Sequence, residues 1–164
     1  MKHLPRGKQK KKKEHVRVNK KAPKGTSIEK RPLTILERTS FGHWEMDCVC
    51  GPTKRSLLVL SERLTRKEII MQIATQSAQE VVKALNKIER KFGRKFKSIF
   101  KTITVDNGTE FSDCQGIEKS IYGKGNRTKV YYCHPYSSWE RGTNERINRE
   151  IRRLIPKGTN LATI

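Results

Sequence analysis

The segment from Ala78 to Phe92 constrains this chain more than any other. Ala78, Val81, Val82, Leu85, Ile88 and Phe92 recur at helical spacing. Ser77-Ala78-Gln79-Glu80 is a capping box at its start, and Gly93 is a stop at its end. A helix that is apolar on one face needs a layer to cover that face. The neighbouring apolar runs are short and strand-like. Residues 43–50, 56–61 and 67–73 precede the helix, with Gly51-Pro52 as a turn; Phe100–Val105 and Val130–Tyr132 follow it. A short helix is expected from Gly116 to Tyr122, and a last one from Thr143 to Ile155, which Pro156 closes. Strand-helix-strand crossovers favour parallel pairing with helices laid on the sheet. The expected fold is α/β: a mixed five-stranded sheet flanked by helices on both faces.

Ahead of this folded part, residues 1–30 carry 12 Lys/Arg against Glu14 and Glu29 alone, densest at Lys10, Lys11, Lys12 and Lys13. With almost nothing to bury, they read as a disordered basic arm that could tether phosphates or simply be a solvated tail. Residues 31–164 read as one domain. The whole chain has 37 Lys+Arg against 16 Asp+Glu, a net charge of +21. That excess points to DNA or RNA as partner rather than a membrane surface. No run is apolar and long enough to span a bilayer, and no apolar signal core follows Met1. A bacterial cytoplasmic location is the expectation. Cys48, Cys50, Cys114 and Cys133 match no standard zinc spacing and read as free thiols rather than as a zinc site or a disulfide framework.

Three carboxylates stand in distinctive settings. Asp47 ends Gly42-His43-Trp44-Glu45-Met46-Asp47, within the first strand. Asp106 ends an apolar strand and opens Asp106-Asn107-Gly108-Thr109-Glu110-Phe111. Strand ends in such sheets are where ligands bind. If the first and fourth strands are neighbours, the two carboxylates face each other, and such a pair repels unless a cation intervenes. An ordinary Asx turn is the plainer reading of Asp-Asn-Gly. Glu145 opens the last helix, whose buried stripe would be Ile147, Ile151 and Leu154. Glu145, Arg149 and Arg152 fall opposite, with Asn148 at the margin. That polar face could be a solvated surface or a metal ligand amid phosphate-binding groups. Trp44 reads as a core anchor, whereas Trp139, in a loop with Tyr136, could be core or could stack on an unpaired base.

Taken together, Arg31-Pro32, Gly42-His43-Trp44-Glu45-Met46-Asp47, Leu57-Leu58-Val59-Leu60 with Glu62-Arg63, Thr102-Ile103-Thr104-Val105-Asp106-Asn107-Gly108 with Glu110-Phe111, Pro135-Tyr136-Ser137-Ser138-Trp139-Glu140-Arg141-Gly142-Thr143-Asn144-Glu145 and Pro156-Lys157-Gly158-Thr159 stand in a recognisable order. Over about residues 31–160 the chain resembles the catalytic core of bacterial transposases of the insertion-sequence-thirty family, within the retroviral-integrase-like group. The resemblance implies an RNase H-like fold and a DDE triad of Asp47, Asp106 and Glu145 holding two Mg²⁺ (or Mn²⁺) ions. It implies hydrolysis at the element's ends and transfer of the released 3′-hydroxyl into target DNA, with DNA as partner and a homo-oligomer as the working form. Asn148, Arg149 and Arg152 match positions that touch DNA, and Arg141 and the Lys10–Lys13 run are further expected DNA contacts. Glu140, 34 positions after Asp106, is the alternative third carboxylate by spacing. Met46 and Arg149 stand where glycines are common in the family. The family's usual N-terminal helix-turn-helix region and C-terminal continuation are not seen in the sequence, which reads as C-terminally truncated. Two other readings therefore stay open: an inactive DNA-binding remnant, and an RNase H-like nuclease or junction resolvase.

Overall fold

The computed structural model describes residues 25–135 and 137–161, without the side chains of Ser138 and Glu145. In chain order the elements are β1 (Thr26–Ser27), β2 (His43–Cys50), β3 (Ser56–Glu62), β4 (Glu68–Ile73), α1 (Ala78–Phe92), α2 (Phe96–Ile99), β5 (Thr102–Val105), α3 (Cys114–Glu118), β6 (Lys129–Tyr132) and α4 (Gly142–Leu154), joined by short 3₁₀ turns. They form one mixed sheet in the order β1-β6-β5-β2-β3-β4. The β2-β3-β4 half is an antiparallel meander, while β5 joins β2, and β6 joins β5, in parallel.

The sheet has six strands where five were expected. The sixth comes from the segment read as a basic arm: Thr26 and Ser27 pair in parallel with Tyr131 and Tyr132. Two local features hold it. Ile28 is buried, and a side chain on Gly25 would collide with the Tyr132 ring, so the chain can lie flat against that ring only as glycine. Lys10, Lys11, Lys12 and Lys13 lie outside the described residues. The third helix is shorter and earlier than expected. Asp113 caps it by accepting from Gly116 N, and it gives way to a bridge between Lys119 and Asn126 before reaching Tyr122.

Each strand divides its residues between two cores, as the pleat requires. Trp44, Met46, Leu58, Leu60 and Ile103 meet α1 through Val81, Leu85 and Ile88 on one face. Trp44 is the core anchor expected of it. It stacks on Phe100 at 4.6 Å between ring centroids and donates Nε1–H to Ile99 O at 2.7 Å. On the other face Val49, Leu57 and Val59 meet Ile147 and Ile151 of α4, together with Leu161. β3, central and covered on both faces, is buried throughout. The expected stripe of α4 is right at Ile147 and Ile151 and wrong at Leu154, which is 85% exposed. The helix ends at Leu154, and Ile155 packs on the core in its place.

Candidate functional site

Glu45 and Asp47, two residues apart on β2, point to the α4 face, as alternation demands. β2 and β5 pair with Trp44 beside Ile103 and Glu45 beside Thr104. Carried two residues further, that register brings Asp47 level with Asp106, just past the end of β5. The aspartates are thus neighbours across a parallel strand pair although 59 positions separate them in sequence.

The turn after β5 is an Asx turn that sets Asp106 beside Asp47. Gly108 N donates to Asp106 Oδ1 at 2.9 Å, and Asn107 Nδ2 donates to Cys133 O at 2.6 Å, tying the turn to the end of β6. A Cβ at Gly108 would lie 2.5 Å from Glu110 Oε2 and 2.9 Å from Asp106 Oδ1, so only glycine lets the two carboxylates approach the backbone this closely. Asp106 Oδ2 remains free for another partner. Asp47 spends Oδ1 on Cys48 N at 2.9 Å and Oδ2 on Asn148 Nδ2 at 2.7 Å.

That other partner is Arg141. Its Nη2 donates to Asp106 Oδ2 at 2.9 Å, and its Nη1 lies 3.5 Å from Asp47 Oδ1. Burial works against the guanidinium charge, but Asp47 and Asp106 outweigh it and hold its pKa above the ordinary value. Arg141 was expected at DNA phosphates. Here it is buried, because two carboxylates in register offer it a closer anionic partner than solvent does.

Glu45 has a structural task that its sequence setting did not reveal. It is fully buried and accepts from Arg63 Nη1 at 2.5 Å and from Asn144 N at 3.1 Å. Asn144 is the third residue of α4, so its N–H has no acceptor within the helix. Glu45 therefore caps α4 from the sheet, where a carboxylate is favoured by the helix dipole. The available signal was its spacing of two from Asp47, which puts both on one face.

Glu140, the alternative third carboxylate, is engaged elsewhere. It lies in the 3₁₀ turn before α4 and accepts from His134 N at 2.8 Å and from the His134 ring at 2.7 Å. Burial pushes its carboxyl pKa up, but these bonds outweigh burial and hold it below the usual range. Glu145 is on α4, four positions after Arg141 and three before Asn148, but its side chain lies outside the described residues. Arg149 is exposed, and Arg152 donates to Cys50 O at 2.6 Å. Trp139 is 73% exposed, which rules out a core role. The four cysteines are free, with Cys133 buried and Cys50 exposed; Cys50 Sγ donates to Gln76 Oε1 at 2.8 Å.

Among the described residues no three His, Cys, Asp or Glu side chains converge as a metal site. What does fit a hard cation is the pair. Two carboxylates converge on a single positive group, and beside them Asn148 Oδ1 is buried without a hydrogen-bond partner among the described residues. All of these donors are oxygen, as Mg²⁺ and Mn²⁺ prefer.

No protein-family model matches the chain. Known sequences do. It is 38% identical to a probable transposase for insertion-like sequence element IS1161 of Streptococcus salivarius, over 96% of this chain and 43% of that one. It is 33% identical to the transposase for insertion sequence element IS4351 of Bacteroides fragilis, over 87% and 41%. It is 35% identical to transposase InsI for insertion sequence element IS30C of Escherichia coli (strain K12), over 84% and 34%. Among solved structures the catalytic core domain of BIV integrase matches with a TM-score of 0.50 at 17% identity, over 70% of this chain and 68% of that one. The class is therefore an α/β protein with the fold of an integrase catalytic core. More narrowly, the chain is a relative of the transposases of the IS30 family, and it spans about two fifths or less of the length of the curated relatives it matches. Among the described residues no helix is long and apolar enough to cross a membrane.

Proposed function

We propose that this chain is the catalytic core of a DDE transposase, acting on phosphodiester bonds at the ends of a mobile DNA element and joining the released 3′-hydroxyl to target DNA. The observation that carries the reading is the Asp47–Asp106 pair, set level by the β2–β5 register and bridged by one cationic group. Asp47 and Asp106 would hold Mg²⁺ or Mn²⁺, with Glu145 as the third carboxylate. Two bound ions supply an activated oxygen nucleophile and stabilise the charge that builds on the phosphate.

The chain's own residues provide position. Glu45 fixes the start of α4 against β2, so that Asn148 can orient Asp47 through one carboxylate oxygen. Cys48 N fixes the other oxygen, and Gly108 N does the same for Asp106. Holding carboxylates by hydrogen bonds before substrate arrives spares reorganisation during the reaction. Two observations favour Glu145 over Glu140. Glu140 is committed to His134, and position 145 lies on α4 between 141 and 148, whose side chains both reach the aspartates. Arg149 and Arg152, further along the same helix, are suited to the DNA backbone.

Nicking of supercoiled plasmid by the purified chain in Mn²⁺ tests this. Asp47→Asn, Asp106→Asn and Glu145→Gln should each reduce nicking by at least about 10²-fold, the scale of losing a group that stabilises transition-state charge. Glu140→Gln should retain most of it. A chain that binds DNA but never nicks it, under any divalent ion, would be a DNA-binding remnant instead. Loss with Glu140→Gln and retention with Glu145→Gln would reassign the third carboxylate.

A further inference from the structure

Two buried arginines in this protein are held very differently. Arg127 is a structural arginine in a complete socket. Its Nε donates to Ile117 O, its Nη1 to Asn86 and Glu89, and its Nη2 to Gly116 O, at 2.7–3.0 Å. Arg141 is also buried, though at 9% exposure against 1% for Arg127, and is poorly fitted. Its Nε is buried with no hydrogen-bond partner among the described residues, its contact with Met46 O is stretched to 3.3 Å, and its reach to Asp47 is 3.5 Å. Among the described residues its one short bond is to Asp106, whose side chain is 40% exposed. A positive group held by charge, with an unsatisfied nitrogen and an open side, is placed to be exchanged rather than to hold the fold.

We infer that Arg141 is a displaceable counter-cation that couples metal loading to DNA binding. Without DNA its guanidinium lies against both aspartates and competes with a divalent ion for them. A backbone phosphate accepts the same two-pronged donor pattern that a carboxylate does. When DNA supplies that phosphate, Arg141 turns to it and the carboxylates are freed. Arg141 touches no reacting atom in this scheme; it positions charge. The inference rests on the proposed metal-binding role of Asp47 and Asp106.

Calorimetric titration of Mn²⁺ into the DNA-free chain at fixed ionic strength tests it, with wild type, Arg141→Gln, Arg141→Met and Asp106→Asn compared. Arg141→Gln should bind Mn²⁺ on the order of tenfold more tightly than wild type, the size of effect one neighbouring opposite charge has on a carboxylate's affinity for a proton. A merely structural arginine would give the opposite result, since its loss would loosen the site. By reciprocity, Mn²⁺ should raise wild-type affinity for a fluorescent duplex and leave that of Arg141→Gln unchanged. Equal or weaker Mn²⁺ binding by a folded Arg141→Gln overturns the inference, as does an equal Mn²⁺ effect on DNA binding in both proteins. Should Gln at 141 unfold the chain, Arg141→Met, which removes the charge and keeps an unbranched apolar stem, carries the comparison. Severalfold tighter Mn²⁺ binding then supports the inference, and binding equal to wild type overturns it. If Asp106→Asn binds Mn²⁺ as well as wild type does, the metal site itself is misplaced and the reading beneath the inference falls with it.

Discussion

Glu45 carries more structure than any other single side chain near the site. It satisfies a free amide of α4 and neutralises the buried Arg63 guanidinium at the same time. Glu45→Ala would strand a buried charge, which costs about 3–5 kcal/mol. Urea unfolding should show a loss of that order, with Glu45→Gln losing less because its amide oxygen can still accept from Asn144. A pH-dependent contact lies on the other side of α4's start. Hydrogen bonds from the His134 ring to Glu140, then to Glu29, raise the His134 pKa above its ordinary 6.5. A raised histidine stabilises the fold fully below the unfolded value, and that contribution is lost as pH rises through the folded value. The tether between Glu29 and the Glu140 turn should therefore be tight below about pH 6.5 and slacken above the raised pKa. Resonance titration of the His134 ring should give a midpoint above 6.5 that falls in Glu140→Gln; an unshifted midpoint in wild type would refute it. The aspartates were legible in the sequence because each sits in a local pattern, a strand or a strand-end turn. Glu45 and Arg141 were not legible as a helix cap and a counter-cation. Their partners lie 99 and 35 positions away, and nothing local encodes such pairings.

Among the elements, α4 decides whether a site exists. The side it turns to the sheet carries Asn148, which meets Asp47, beside Ile147 and Ile151, which fasten the helix to Val49, Leu57 and Val59. Ile151→Ala should cost about 2–5 kcal/mol, the usual range for emptying a buried aliphatic position. Because Asn148 is one turn away, that change should also lower Mn²⁺ affinity without touching a ligand, which the calorimetric titration would register. The helical period located this helix, and two of the three residues it marked for burial, Ile147 and Ile151, are buried. It failed at Leu154 because periodicity cannot tell where a helix stops burying itself; the turn at Ile155 settles that through tertiary packing. β1 escaped notice for a related reason. Two residues in a lysine-rich segment have no detectable period, and their strand character comes only from the neighbouring edge of β6.

For the whole molecule, charge is the dominant property. A net charge of +21 predicts DNA binding that weakens steeply with salt. Replacing Lys10, Lys11, Lys12 and Lys13 with alanine should lower the slope of log affinity against log salt by at most about 3–4, near 0.9 for each phosphate no longer neutralised. Fluorescence anisotropy between roughly 50 and 200 mM salt would measure it, and an unchanged slope would show that the run does not touch DNA. The strand-helix-strand order was enough to anticipate parallel pairing and a two-faced sheet. It also made β2 and β5 neighbours only as a condition, and the structure meets that condition through the register that levels Asp47 with Asp106.

That register has a consequence for the order in which the chain can mature. β2 and β5 can pair as soon as residue 105 is available, and pairing forces two like charges together on the sheet. The group that neutralises them, Arg141, and the helix that steadies Asp47 both come later in the chain. A chain made only as far as β6 would hold the two aspartates side by side with neither Arg141 nor Asn148 to meet them, and docking of α4 supplies both.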